Sequence, residues 1–88
     1  MVAHVAVDPR STAPTTVGLV VSKAVGIAVV RNLVKRRMRG IMREELATLP
    51  AGGTVVLRAL PAAATAPYER LRRDVTACVR RALSSAAA

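Results

Sequence analysis

Ala28-Val-Val-Arg-Asn-Leu-Val-Lys-Arg-Arg-Met-Arg-Gly-Ile-Met-Arg43 is the stretch on which the fold of this chain turns. At about 100° per residue, Ile27, Val30, Val34, Met38 and Ile41 fall on one narrow apolar stripe. The pattern predicts a helix from about Ala28 to Leu46 that lays this stripe on a sheet. On the same wheel Lys35, Arg39, Arg43 and Arg36 form one continuous arc that includes Asn32, while Arg31 and Arg37 flank the stripe on opposite sides. Gly40 lies inside the pattern at a cost of about 1 kcal/mol relative to Ala. It marks either a close contact or a weak point.

Working upstream, Lys23 to Gly26 is a connection, and Thr16 to Ser22 is a strand, nearly all apolar as expected where both faces are covered. Val2 to Val7 is an earlier strand, and Asp8 to Pro14 a loop with two prolines as breakers. These two strands are expected to pair like a hairpin. Downstream, Leu49-Pro50 and Gly52-Gly53 stop the helix, and Thr54 to Leu60 is a third strand. Pro61 to Ala66 is a loop of small residues, and Pro67 suits a first helical turn. From Tyr68 onward, Leu71, Val75, Cys78, Val79 and Leu83 share one face of a second helix, and residues 83–88 read as a frayed tail. The order strand, strand, helix, strand, helix gives one small domain over residues 1–88, with helices covering a small sheet.

Eighty-eight residues with 52% hydrophobic content can build one core. The chain has no Phe and no Trp, and Tyr68 is its single aromatic residue, so that core rests on Val, Leu, Ala, Ile and Met. Marginal stability, with dependence on a partner, is the expectation. Fourteen Lys and Arg against five Asp and Glu give a net charge of +9. Of these cations only Lys23 and Lys35 are lysines, and the arginine fork suits bidentate contact with phosphate. Such a charge favours a polyanion, with nucleic acid as the expected partner. A membrane is disfavoured, because no stretch approaches the roughly 20 apolar residues of a spanning helix.

One cysteine, Cys78, excludes an intrachain disulfide and a multi-cysteine metal site, and His4 lies far from it in sequence. Cys78 reads as a small buried hydrophobe. No residue spacing suggests a catalytic triad or dyad. No signal peptide pattern opens the chain, so the cytoplasm is the expected compartment.

From Lys23 to Arg43 the charged residues are Lys23, Arg31, Lys35, Arg36, Arg37, Arg39 and Arg43, with no acid among them. Ordinary solvated helix faces mix signs, whereas Arg31, Lys35, Arg39 and Arg43 repeat like charges at i, i+4. Each such pair destabilises an isolated helix by a few tenths of a kcal/mol, a repulsion that a polyanion relieves. The arginines of the last helix, Arg70, Arg72, Arg73, Arg80 and Arg81, mix with Glu69 and Asp74 and read as an ordinary solvent face. Arg58 alternates with apolar neighbours and points to water or to RNA from an uncovered sheet face.

The stretch Val21-Ser-Lys-Ala-Val-Gly-Ile-Ala-Val-Val-Arg-Asn-Leu-Val-Lys-Arg-Arg-Met-Arg39 resembles the arginine–asparagine signature of the bacterial ribonuclease P protein family. Ser22, Lys23, Val25, Gly26, Ala28, Arg31, Asn32, Lys35, Arg36 and Arg39 all fit it, and the likeness extends from about Val5 to Leu83. The resemblance implies an α+β fold, a small mixed β-sheet packed with two helices. It also implies a left-handed βαβ crossover, of the kind seen in the second domain of a small-subunit ribosomal protein. That hand runs against the general right-handed rule.

The implied role is to bind the catalytic RNA of ribonuclease P and precursor tRNA, assisting endonucleolytic removal of the 5′ leader. By this resemblance Lys23, Arg31, Asn32, Lys35, Arg36, Arg37, Arg39 and Arg43 contact RNA, and His4 and Arg58 are candidate leader contacts. No catalytic or metal-ligating residue is implied in the chain. Magnesium is expected in the RNA-containing holoenzyme, with no cofactor on the protein alone and no obligate protein partner. A basic module bound to ribosomes or DNA, without a processing role, is the alternative.

Three departures from the family pattern stand out. Members usually carry a helix and a basic, aromatic stretch before the first strand, so we expect a shortened N-terminus, with the reading frame continuing upstream of Met1. Ile27 stands where the family often has Asn, removing a helix cap at about 1 kcal/mol. Leu33 and Ala24 replace a frequent arginine and a frequent lysine.

Overall fold

The computed structural model describes residues 1–49 and 51–87; Pro50 in the expected helix stop and Ala88 in the expected tail lie outside them. Strand β1 spans Val2–Val7, β2 Thr16–Val20, helix α1 Ala28–Glu45, β3 Gly53–Arg58 and α2 Tyr68–Ala87. Single 3-10 turns at Lys23–Val25, Leu46–Thr48 and Pro61–Ala64 join them. The element order is the expected one.

The pairing is not. β1 and β2 do not form a hairpin, because β3 lies between them in the order β1-β3-β2. β1 runs antiparallel to β3 from Val2↔Arg58 to Val7↔Gly53, and β2 runs parallel to it from Thr16↔Thr54 to Val20↔Arg58. The connection after β1 clasps the chain entering β3 instead of turning back on itself. The Asp8 N–H donates to the Gly52 carbonyl at 2.9 Å, and the Gly52 N–H donates to the Ala13 carbonyl at 2.8 Å. Gly52 takes φ +79°, and a Cβ there would stand 2.5 Å from the Asp8 carbonyl oxygen. Only glycine satisfies both demands.

β2 is therefore an edge strand, and its residues alternate between half-buried and exposed instead of being covered on both faces. The central strand β3 carries the buried Val55 and Leu57. Ala3, Val5, Val17, Leu19, Val55 and Leu57 turn to the side where both helices lie. Against them pack Val34, Met38, Ile41 and Met42 of α1 and Leu71, Val75 and Val79 of α2, all buried. Each such side chain contributes about 1.5–3 kcal/mol on burial, so an aliphatic core suffices here.

Ile27 departs from the predicted stripe and is 72% exposed. It precedes the helix in an extended conformation (φ −68°, ψ 167°), so helical periodicity does not place its side chain. Met42 completes the buried stripe, and Val30 is half-buried at its start. No side chain caps the N-terminus of α1, in keeping with the missing asparagine. In α2, Cys78 is half-buried and its thiol donates to the Met1 carbonyl at 3.1 Å. The helix continues to Ala87, past the point where fraying was expected.

Candidate nucleic-acid interface

The basic surface is built outward from a short anchor. Val25 is 5% exposed and pins the 3-10 turn, which is closed by Val25 N–H to Ser22 O (3.1 Å) and Gly26 N–H to Lys23 O (3.2 Å). Gly26 takes φ +155°, and a Cβ on it would stand 3.1 Å from Cγ1 of Val30. The chain thus turns into α1 with Lys23 exposed just ahead of the helix N-terminus. The first turn of α1 holds no acidic residue. The positive end of the helix dipole therefore adds to Lys23 and Arg31 instead of being offset.

Along α1, Asn32, Lys35, Arg36, Arg39 and Arg43 are exposed, and Arg31 and Arg37 are half-buried. Because Val34, Met38, Ile41 and Met42 fix the rotation of the helix against the sheet, the exposed set shares one arc, running from Lys35 beside Met42 round to Arg36 on the side away from the sheet. The Nε of Arg31 is buried and has no hydrogen-bond partner among the described residues. Buried donors are nearly always satisfied, so an acceptor supplied from outside, such as a phosphate oxygen, would complete this one.

Lys35, Arg39 and Arg43 also rim a groove of about 310 Å³ between α1 and the edge strand β2, floored by Val17, Leu19, Met42 and Leu46. The floor residues were not among the candidates read from the sequence. Their signal was present in the alternation of β2 and in Met42, which follows Met38 by one turn. The acids of α1 stand on its other side. Glu44 pairs with Arg72 of α2 at 3.2 Å, and Glu45 Oε1 accepts from the Thr76 hydroxyl at 2.9 Å.

The structure therefore gathers Lys23, Arg31, Asn32, Lys35, Arg36, Arg37, Arg39 and Arg43 around one helix. It does not bring His4 and Arg58 to them. Both are exposed on the sheet face opposite the helices, where β1 and β3 place His4 across from Val56 and Arg58 across from Val2. Among the described residues no group of three His, Cys, Asp or Glu could hold a metal ion. None of the helices among the described residues is long and apolar enough to cross a membrane. The gathered cations form a surface able to hold phosphates by charge and hydrogen bonds.

Comparison with known proteins gives the family. The chain is 51% identical over 86 residues to the ribonuclease P protein component of Streptomyces avermitilis, covering 93% of this chain and 70% of that one. It is 56% identical over 70 residues to the component from Salinispora tropica, covering 80% of this chain but only 52% of the relative. Its fold matches the Staphylococcus aureus RNase P protein with a TM-score of 0.78 at 20% identity, over 91% of this chain and 72% of that one. The family model described as Ribonuclease P matches residues 2–83, and on that extent and these identities the chain belongs to the ribonuclease P protein family.

Proposed function

We propose that this chain is the protein subunit of a ribonucleoprotein endoribonuclease, in which it binds the catalytic RNA and assists removal of the 5′ leader from precursor tRNA. The observation that carries the reading is the one-sided basic helix. Seven cations from Lys23 to Arg43 are interrupted by no acid, and Arg31 holds a buried donor without a partner among the described residues. Each phosphate held there releases counterions, so the complex should be steeply salt-dependent.

The division of labour follows from the residues. The side chains of α1 orient and neutralise RNA phosphates, while bond cleavage belongs to the RNA. Magnesium supplies phosphate neutralisation and activation of water in such holoenzymes. In this reading RNA oxygens hold it. His4 and Arg58 lie on the helix-free sheet face, where they would meet a separate single-stranded segment, the leader. A cytoplasmic setting goes with these partners.

The test is reconstitution with a bacterial ribonuclease P RNA at low magnesium. It uses the chain together with any residues that its reading frame encodes upstream of Met1. Added protein should raise cleavage of precursor tRNA at the mature 5′ end, and Arg31→Ala with Arg36→Ala should abolish the gain. No stimulation by the unsubstituted protein would overturn the proposal.

A further inference from the structure

The second helix carries a basic face that the reading above leaves unused. On α2, Arg70, Arg73, Arg80 and Arg81 fall within one arc of the helical wheel, opposite the buried Leu71, Val75 and Val79, and all four are exposed. The helix also carries Glu69 and Asp74, yet among the described residues these four arginines form no ion pair within 4.0 Å. The one such pair is Arg72 with Glu44. An ordinary solvent face of mixed sign would pair its charges along the helix. This one leaves its guanidinium groups open over about 16 Å of helix axis from Arg70 to Arg81.

Two features separate this face from the one on α1. The seam between the helices is occupied by Glu44 with Arg72 and by Glu45 with Thr76, so acidic groups stand between the two basic surfaces. The buried stripes of both helices also pack into one core, which fixes the two surfaces relative to each other. We propose that the exposed face of α2 is a second RNA-binding surface, holding a second RNA segment by its phosphates while α1 holds the first. The proposal rests on the RNA-binding reading of α1 and adds a bridging role to it.

The chemistry of the arc selects the occupant. Within the arc the other residues are the small Ala77 and Ser84, and Glu69 and Asp74 border it on either side without an ion pair to these four arginines within 4.0 Å. A membrane-surface helix needs a broad apolar face, and α2 spends its own on the core. A protein interface needs an apolar or aromatic centre, which the arc lacks. Planar guanidinium forks without carboxylate partners match a phosphate backbone, without regard to base sequence.

The experiment is capture of a second RNA. The chain is bound to an immobilised bacterial ribonuclease P RNA, and retention of a fluorescent RNA duplex of unrelated sequence is measured. The variant Arg70→Gln, Arg73→Gln, Arg80→Gln, Arg81→Gln should lose duplex capture by about tenfold or more, since each phosphate contact adds roughly 0.9 to the salt slope. Its affinity for the immobilised RNA should change by less than about threefold, with helix content by circular dichroism unchanged. The matching quadruple Lys variant should retain most of the capture, because it keeps the charge.

Equal capture by the Gln variant would overturn the proposal, as would loss in the Lys variant as large as in the Gln variant. Binding of polyglutamate to the α2 face without duplex capture would also overturn it, assigning the face to an acidic protein. If the unsubstituted chain fails to bind the immobilised RNA, the reading of α1 fails separately. Direct titration of the duplex, comparing the parent with the Gln variant, then decides the role of α2.

Discussion

Gly26 and Val30 sit so close that a methyl group on Gly26 would stand 3.1 Å from Cγ1 of Val30, and Gly26 already takes φ +155°. This contact sets the direction in which the chain enters α1. Gly26→Ala should therefore cost about 1–3 kcal/mol through backbone strain and crowding. Urea unfolding of the two proteins measures it, and an unchanged midpoint would show that the turn relaxes freely.

Gly52 is under tighter constraint. With Asp8 and Ser11 carbonyl oxygens 2.5 and 2.8 Å from the position of a Cβ, Gly52→Ala must displace the clasp that sends β2 to the far side of β3. We predict a loss of at least about 2 kcal/mol, larger than for Gly26→Ala. Comparison of the two unfolding midpoints tests the ranking.

Gly40 shows the opposite behaviour. A Cβ there meets no atom within 4 Å, so the residue is a weak point and not a close contact. Gly40→Ala should stabilise the protein by up to about 1 kcal/mol, which raises Tm by about 4–8 °C in a domain of this size.

The ion pair between Glu44 and Arg72 is exposed, with side chains 63% and 49% accessible. Glu44→Gln should therefore change stability by less than about 0.5 kcal/mol. Because it removes an acid from the last turn of the basic helix, RNA binding should tighten slightly at low salt and not at high salt.

Much of this architecture was legible in the residues. The period of Val34, Met38 and Ile41 located α1 and its buried side, and the proline and glycine clusters located the loops. Strand pairing was not legible, because the 8–15 connection is decided by hydrogen bonds to Gly52, some forty residues onward. Ile27 misled because its apolar character fits the helical period while its backbone is still extended. Lys35, Arg36, Arg39 and Arg43 could be placed on one arc of α1 from spacing alone. The groove floor of Val17, Leu19, Met42 and Leu46 needed β2 to be set beside the helix. Which acids pair with the α2 arginines likewise depends on side-chain placement that spacing alone does not give; the one ion pair among the described residues joins Arg72 to Glu44 of the other helix.

The central claim is that α1 docks on the ribonuclease P RNA through its exposed cations. Its most direct test is equilibrium binding of that RNA across a range of salt, for the parent chain and for Arg36→Ala, Arg39→Ala and Arg43→Ala singly and together. Each substitution should weaken binding and lower the slope of log affinity against log salt by about 1, with the triple variant losing nearly the sum. A triple variant that binds with the parent's affinity and the parent's salt slope would contradict the account.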